Sequence, residues 1–260
     1  MINTTLDLQT ETKNIYNRIN SYRNGIASDK GSLLNNAGCA LFLYHYSELL
    51  EDENAYDLAG DYCDKLIEDL RNYHFHYPSS ISLCSGVLGS AWALNYLRKE
   101  RFVDFGNDLD DMDQLAERFF YNSLAVGCYD YLHGALGALT YLLSLPKSIN
   151  REQIISKMLD AIVGICNTER GLLFLNEYDL KLQKVNKGVI NLGLSHGTPS
   201  LIAVLCFALN YSDRFSYLKN HIANCAYTII SFQNVKETKS HFSYKRSLFD
   251  DIEGRTRLGW

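Results

Sequence analysis

Four nearly all-apolar stretches, each opened by a small residue, two more residues and a second small residue, constrain this chain most. They read LLNNAGCALFLYHY, LCSGVLGSAWALNYL, YLHGALGALTYLLSL and LSHGTPSLIAVLCFAL. The first small position falls on Asn35, Gly86, Gly134 and Gly197, and the second on Gly38, Gly89, Gly137 and Ser200. Successive starts lie 51, 48 and 63 residues apart, enough for one helical hairpin with its loops. A helix that is apolar all round must be covered on every side.

The segments between these runs have a different texture. Ala55 to Tyr73 places Leu58, Tyr62, Leu66, Ile67 and Leu70 at helical spacing beside a charged face. Asp110 to Leu124, Arg151 to Cys166 and Arg214 to Phe232 carry similar stripes. The unit is therefore a pair, one amphipathic helix and one apolar helix. Apolar helices inside and amphipathic helices outside give an all-α, two-layer toroid or solenoid. Glycines at the inner helix starts allow close backbone approach and leave amide groups at one rim. Two stretches depart from this pattern. Residues 168–191 alternate in short apolar steps that predict strands or a loop over a rim, and the polar region after Phe232 places Phe242 and Tyr244 in a strand.

Composition narrows the function classes. With 30 Asp+Glu against 25 Lys+Arg, a net charge of −5 and no basic run, the chain lacks a nucleic-acid footprint. Seven cysteines, none in a CxxC or CxC pair, and a polar start without a secretory apolar segment predict a reduced, cytoplasmic protein. No apolar run is long enough to span a membrane. There is no GxSxG, Walker loop, HExxH or dinucleotide fingerprint, and no close Cys/His spacing for a local metal site.

A few polar residues stand at the repeat mouths. His196, before Gly197, faces the central opening with either ring nitrogen available, or else caps a buried helix end. Asp130, in CYDYLHGALG, holds the comparable place before the third apolar helix, where the helix dipole alone would favour a carboxylate. His133 precedes Gly134 as His196 precedes Gly197. Arg257 lies in the polar tail, where a surface role is the plain alternative. Cys128 reads as a buried thiol.

The strings GSLLNNAGCALFLYHYSELL, CSGVLGSAWAL, YDYLHGALGALTYLL and above all NLGLSHGTPSLIAVL, with the tail R-x-x-W, resemble the lanthionine synthetase C-like family, the lantibiotic cyclases. The resemblance runs from about residue 9 to Trp260. It implies an α/α toroid of seven hairpins, and an activity that adds peptide cysteine thiols to dehydroalanine or dehydrobutyrine, forming (methyl)lanthionine rings. It also implies a zinc ion, held by two cysteines and a histidine, that presents the substrate thiol as thiolate. By the family motifs His196 takes proton transfer, Asp130 orients or shares that proton, and Arg257 stabilises the anion. The implied partners are a ribosomal precursor peptide and a dehydratase.

Those motifs place the zinc ligands beyond Trp260, and no cysteine here matches a ligand position. The expectation is one domain over 1–260, C-terminally truncated, with about four of seven inner helices. Such a chain would be inactive alone and prone to self-association through exposed apolar helices. The alternative is a non-catalytic peptide-binding or scaffold module using the helical cleft. A glycan-processing toroid would need paired rim carboxylates, and Asp130 has no evident partner within the repeats.

Overall fold

The computed structural model describes residues 4–27, 32–72, 81–106, 109, 111–169, 171–233 and 241–247, with side chains from residue 8 onward. The chain divides into two compact units, Met1–Asp111 and Met112–Trp260.

The first unit holds α1 (Thr4–Asn20), α2 (Asn36–Leu50), α3 (Glu53–Asn72) and α4 (Val87–Lys99). The apolar helices α2 and α4 pack on each other and both touch the amphipathic α3. All five residues expected to form the α3 stripe, Leu58, Tyr62, Leu66, Ile67 and Leu70, are buried. The α2–α3 turn is set locally. Glu51 adopts a left-handed φ of 52° and donates its N–H to the Ser47 carbonyl, while Asp52 Oδ1 accepts the Ala55 N–H at 3.0 Å and caps α3.

The second unit holds α5 (Met112–Ala125), α6 (Ala135–Ser144), α7 (Ile149–Cys166), α8 (Thr198–Tyr211) and α9 (Leu218–Ile230). Between α7 and α8 run five short strands: β1 (Asn167–Thr168), β2 (Gly171–Leu172), β3 (Asn176–Asp179), β4 (Lys184–Lys187) and β5 (Val189–Asn191). A sixth, β6 (Lys245–Ser247), follows α9. All pairings are antiparallel: β1 with β2, β3 with β4, and β5 with β6. The strands expected over residues 168–191 are present. Phe242 and Tyr244, however, lie just ahead of the late strand, and the Tyr244 carbonyl accepts the Leu192 N–H at 2.7 Å.

All four first small positions are helix N-caps: Asn35 for α2, Gly86 for α4, Gly134 for α6 and Gly197 for α8. In the last two repeats the glycine is dictated by a carbonyl from six residues earlier. A Cβ on Gly134 would sit 2.4 Å from the Cys128 oxygen, and one on Gly197 would sit 2.1 Å from the Asn191 oxygen. In the first two repeats a carbonyl comes against the second position instead, Leu33 O at 2.2 Å from a Cβ on Gly38 and Leu83 O at 2.0 Å from one on Gly89. The motif is thus one loop-over-helix packing with two ways of making room for it.

Burial on every side holds for α6, where Ala135 through Leu142 are all buried. It does not hold for α8, whose Phe207 is exposed. The reason is coverage: α6 touches α5, α7 and α8, whereas α8 touches α6, α9 and the short turn before α9. Each fully buried leucine of α6 contributes about 1.5–3 kcal/mol. The stripe expected from Arg214 also starts later, because a 3-10 turn at Asp213–Phe215 buries Phe215 before α9 begins at Leu218.

Candidate functional site at the α6 and α8 entrances

Two loops of the second unit deliver the polar residues. The first begins where Gly127, at a φ of 75°, ends α5. Asp130 then folds back on its own loop, its Oδ1 accepting the N–H groups of Leu132 (2.7 Å) and His133 (2.8 Å). That turn commits one carboxylate oxygen and fixes the direction of the other. Oδ2 lies 2.5 Å from Nδ1 of His196, in the loop that enters α8.

The His196 loop is held in the same manner. Asn191, the last residue of β5, accepts the Gly193 N–H on its Oδ1 at 2.8 Å. The Gly193 carbonyl in turn accepts the Gly197 N–H at 2.9 Å. The Asn191 amide donates to Glu177 Oε1 on β3 at 2.8 Å. Lys245 on β6 donates to the other Glu177 oxygen at 2.5 Å.

The charged state of His196 is favoured. The Asp130 hydrogen bond raises its pKa above the ordinary 6.5, with burial opposing. Glu177 adds to the rise and Lys245 works against it. His133 goes the other way: burial lowers its pKa, Asp130 partly offsets this, and the His196 charge lowers it further. The two rings lie 10° from parallel with centroids 6.0 Å apart. One histidine is thus biased towards imidazolium and its neighbour towards neutral imidazole.

His196 and Asp130 border a cavity of about 380 Å³. Its wall includes Asp130, His196, Glu177 and Lys245, and the stacked pair Tyr129 and Phe174, 4.8 Å between centroids. Asp130 is only 10% exposed, whereas His196 is 31% exposed. The histidine is therefore the more open of the two, and the aspartate lies behind it.

Of the sequence-predicted residues, the structure brings His196 and Asp130 together and sets His133 beside them; Arg257 lies outside the described residues. One expectation needs correction. His196 does not offer either ring nitrogen, because Nδ1 is engaged by Asp130. Sequence reasoning missed Glu177, Asn191 and Lys245 as members of the site. Asn191 stood inside the NLGLSHG string, which was the available signal.

Cys128 is buried, as expected. Its thiol is pushed up to about 12, by burial first and then by the Asp130 charge. Its Sγ faces the His133 carbonyl at 4.0 Å, so it is a poor thiolate donor. Among the described residues no three of His, Cys, Asp and Glu come together to hold a metal ion.

A model of the family described as lanthionine synthetase C-like protein matches residues 35–260, from the N-cap of α2 onward. The chain belongs to the lanthionine synthetase C-like family. Among solved structures, nisin cyclase matches with a TM-score of 0.68 at 17% identity, covering 97% of this chain and 65% of that one. The helical toroid fold class, which the family resemblance implies and the repeats left open beside a solenoid, is thereby borne out, and the chain spans about 65% of the length of nisin cyclase. No curated protein matches the chain. Among the described residues, no helix is long and apolar enough to cross a membrane.

Proposed function

We propose that the chain is a lanthionine cyclase-type protein whose His196–Asp130 pair handles the proton in thiol addition to a dehydrated peptide. The observation that carries this reading is the 2.5 Å contact between His196 Nδ1 and Asp130 Oδ2 at the wall of the cavity. In the addition, a peptide thiolate sulfur bonds to the β-carbon of dehydroalanine or dehydrobutyrine. The electron pair of the C=C bond moves towards the carbonyl as an enolate, and the α-carbon then takes a proton. His196, favoured as imidazolium by Asp130, gives that proton from Nε2 and is reloaded from solvent. Arg257, by the family motif, stabilises the enolate anion.

The family zinc would supply the thiolate. No step here runs through it, because the described residues form no cluster for it. By itself the chain is proposed to bind peptide and protonate the enolate while leaving thiol activation unsupplied at neutral pH. A ribosomal precursor peptide, a dehydratase acting before this step and a cytoplasmic, single-domain protein complete the proposal.

The test uses a peptide carrying one cysteine and one dehydroalanine, with uncapped thiol counted by maleimide labelling and mass spectrometry. At about pH 7.5, where about a tenth of a free cysteine is thiolate and His196 keeps more of its proton, the chain should speed ring closure over the peptide alone. His196→Asn should remove that gain. Equal rates with and without the chain would overturn the catalytic reading. The binding-module alternative draws on the Tyr129–Phe174 stack in the cavity wall; it predicts saturable binding of this peptide with no gain in ring closure.

A further inference from the structure

Glu177, Asn191 and Lys245 form a chain of side chains that the proton-transfer reading leaves unused, yet it ends on the His196 loop. Glu177 carries two contacts on its two oxygens, Asn191 Nδ2 at 2.8 Å and Lys245 Nζ at 2.5 Å. Asn191 is 8% exposed, and its other amide atom holds Gly193 of the His196 loop. The β5–β6 pairing, Asn191 opposite Lys245, brings the lysine to this place.

We propose that Glu177 is a positioning residue for His196, acting through Asn191, and that Lys245 neutralises it so that its charge does not dominate the cavity. The inference rests on the proposed proton-transfer role of His196, which gives that positioning a purpose. Removing the Glu177 carboxylate withdraws the acceptor from the Asn191 amide. Asn191 can then rotate, Gly193 loses its anchor, and the His196 ring drifts from Asp130. Titratable groups face His196 from three directions: Asp130 with His133 from the α5–α6 loop, Glu177 from β3 and Lys245 from β6. Loss of the Glu177 charge lowers the His196 pKa, and loss of the Lys245 charge raises it, in keeping with their opposed signs.

The experiment is NMR of the histidine side chains in the full chain, with His196 assigned by its loss in His196→Asn. It needs no substrate, so its outcome is separable from failure of the cyclase reading. Glu177→Gln keeps an oxygen for Asn191 and removes only the charge. It should keep the Nδ1–H form of the neutral ring that Asp130 favours and titrate lower than wild type. Glu177→Ala removes both, and should shift the neutral ring towards the Nε2–H form as well as lower its titration. Lys245→Met should titrate higher. Opposite shifts in Glu177→Gln and Lys245→Met read the charge balance, and the Nε2–H form in Glu177→Ala reads the positioning through Asn191. If both titrate as wild type does, or if the Nδ1–H form survives in Glu177→Ala, the proposal is wrong. Should Glu177→Ala fail to fold, Glu177→Ser, which likewise leaves the Asn191 amide without its carboxylate acceptor, carries the same test.

Discussion

His196 and Asp130 are 66 residues apart in the chain, and Nδ1 of one lies 2.5 Å from Oδ2 of the other. The contact exists because two repeats present their loops side by side: α6 packs on α8, and each residue stands in the loop entering its helix. The pairing makes a pH-dependent contribution to stability whose sign is fixed. The folded pKa of His196 is raised above 6.5. Its contribution is therefore complete below that value and fades as pH rises through the folded value. Asp130→Asn should cost about 1 kcal/mol near pH 6 and less near pH 9, as read by urea unfolding at both.

Gly197 and Gly60 offer a matched pair of alanine substitutions with opposite outcomes. A Cβ at Gly197 meets the Asn191 carbonyl at 2.1 Å, and neither backbone can yield without moving the His196 loop. Gly197→Ala should lose about 2–4 kcal/mol. Gly60, inside α3, has nothing within 4 Å of a new Cβ. Gly60→Ala should gain about 0.5–1 kcal/mol from the helix preference of alanine. Unfolding curves of the two variants check the contrast.

Thiol reactivity should divide the seven cysteines. Cys63, Cys84, Cys128, Cys166 and Cys225 are buried, while Cys39 and Cys206 are partly exposed. Burial also pushes Cys63, Cys128 and Cys225 up to about 12. In the native chain near pH 8, an alkylating reagent should mark Cys206 and Cys39 well before the others, as timed peptide mass spectrometry would show. Rapid labelling of Cys128 would mean that the α5–α6 loop is not packed as described.

The sequence showed the helices best where chemistry was local. A small residue followed by an apolar run placed the starts of α2, α4, α6 and α8, since the cap and the buried face are both written in neighbouring residues. His196 and Asp130 were legible for the same reason, each being tied to a helix entrance. Glu177, Asn191 and Lys245 were not, because their roles depend on β5 pairing with a strand more than 50 residues later. Alone, a glutamate in NEYD or a lysine in YKRS reads as a solvated side chain. The commitment of His196 Nδ1 was equally hidden, since it follows from α6 lying against α8.

The configuration of the newly formed α-carbon reports most directly on whether His196 delivers the proton. With the cysteine and dehydroalanine peptide in deuterated water, uncatalysed addition labels the α-carbon from either face. A positioned acid labels it from one. Wild-type chain should give a single α-configuration, and His196→Asn should give a mixture at a rate about 10²–10⁴ times lower. A single configuration formed at an undiminished rate by His196→Asn would contradict the account.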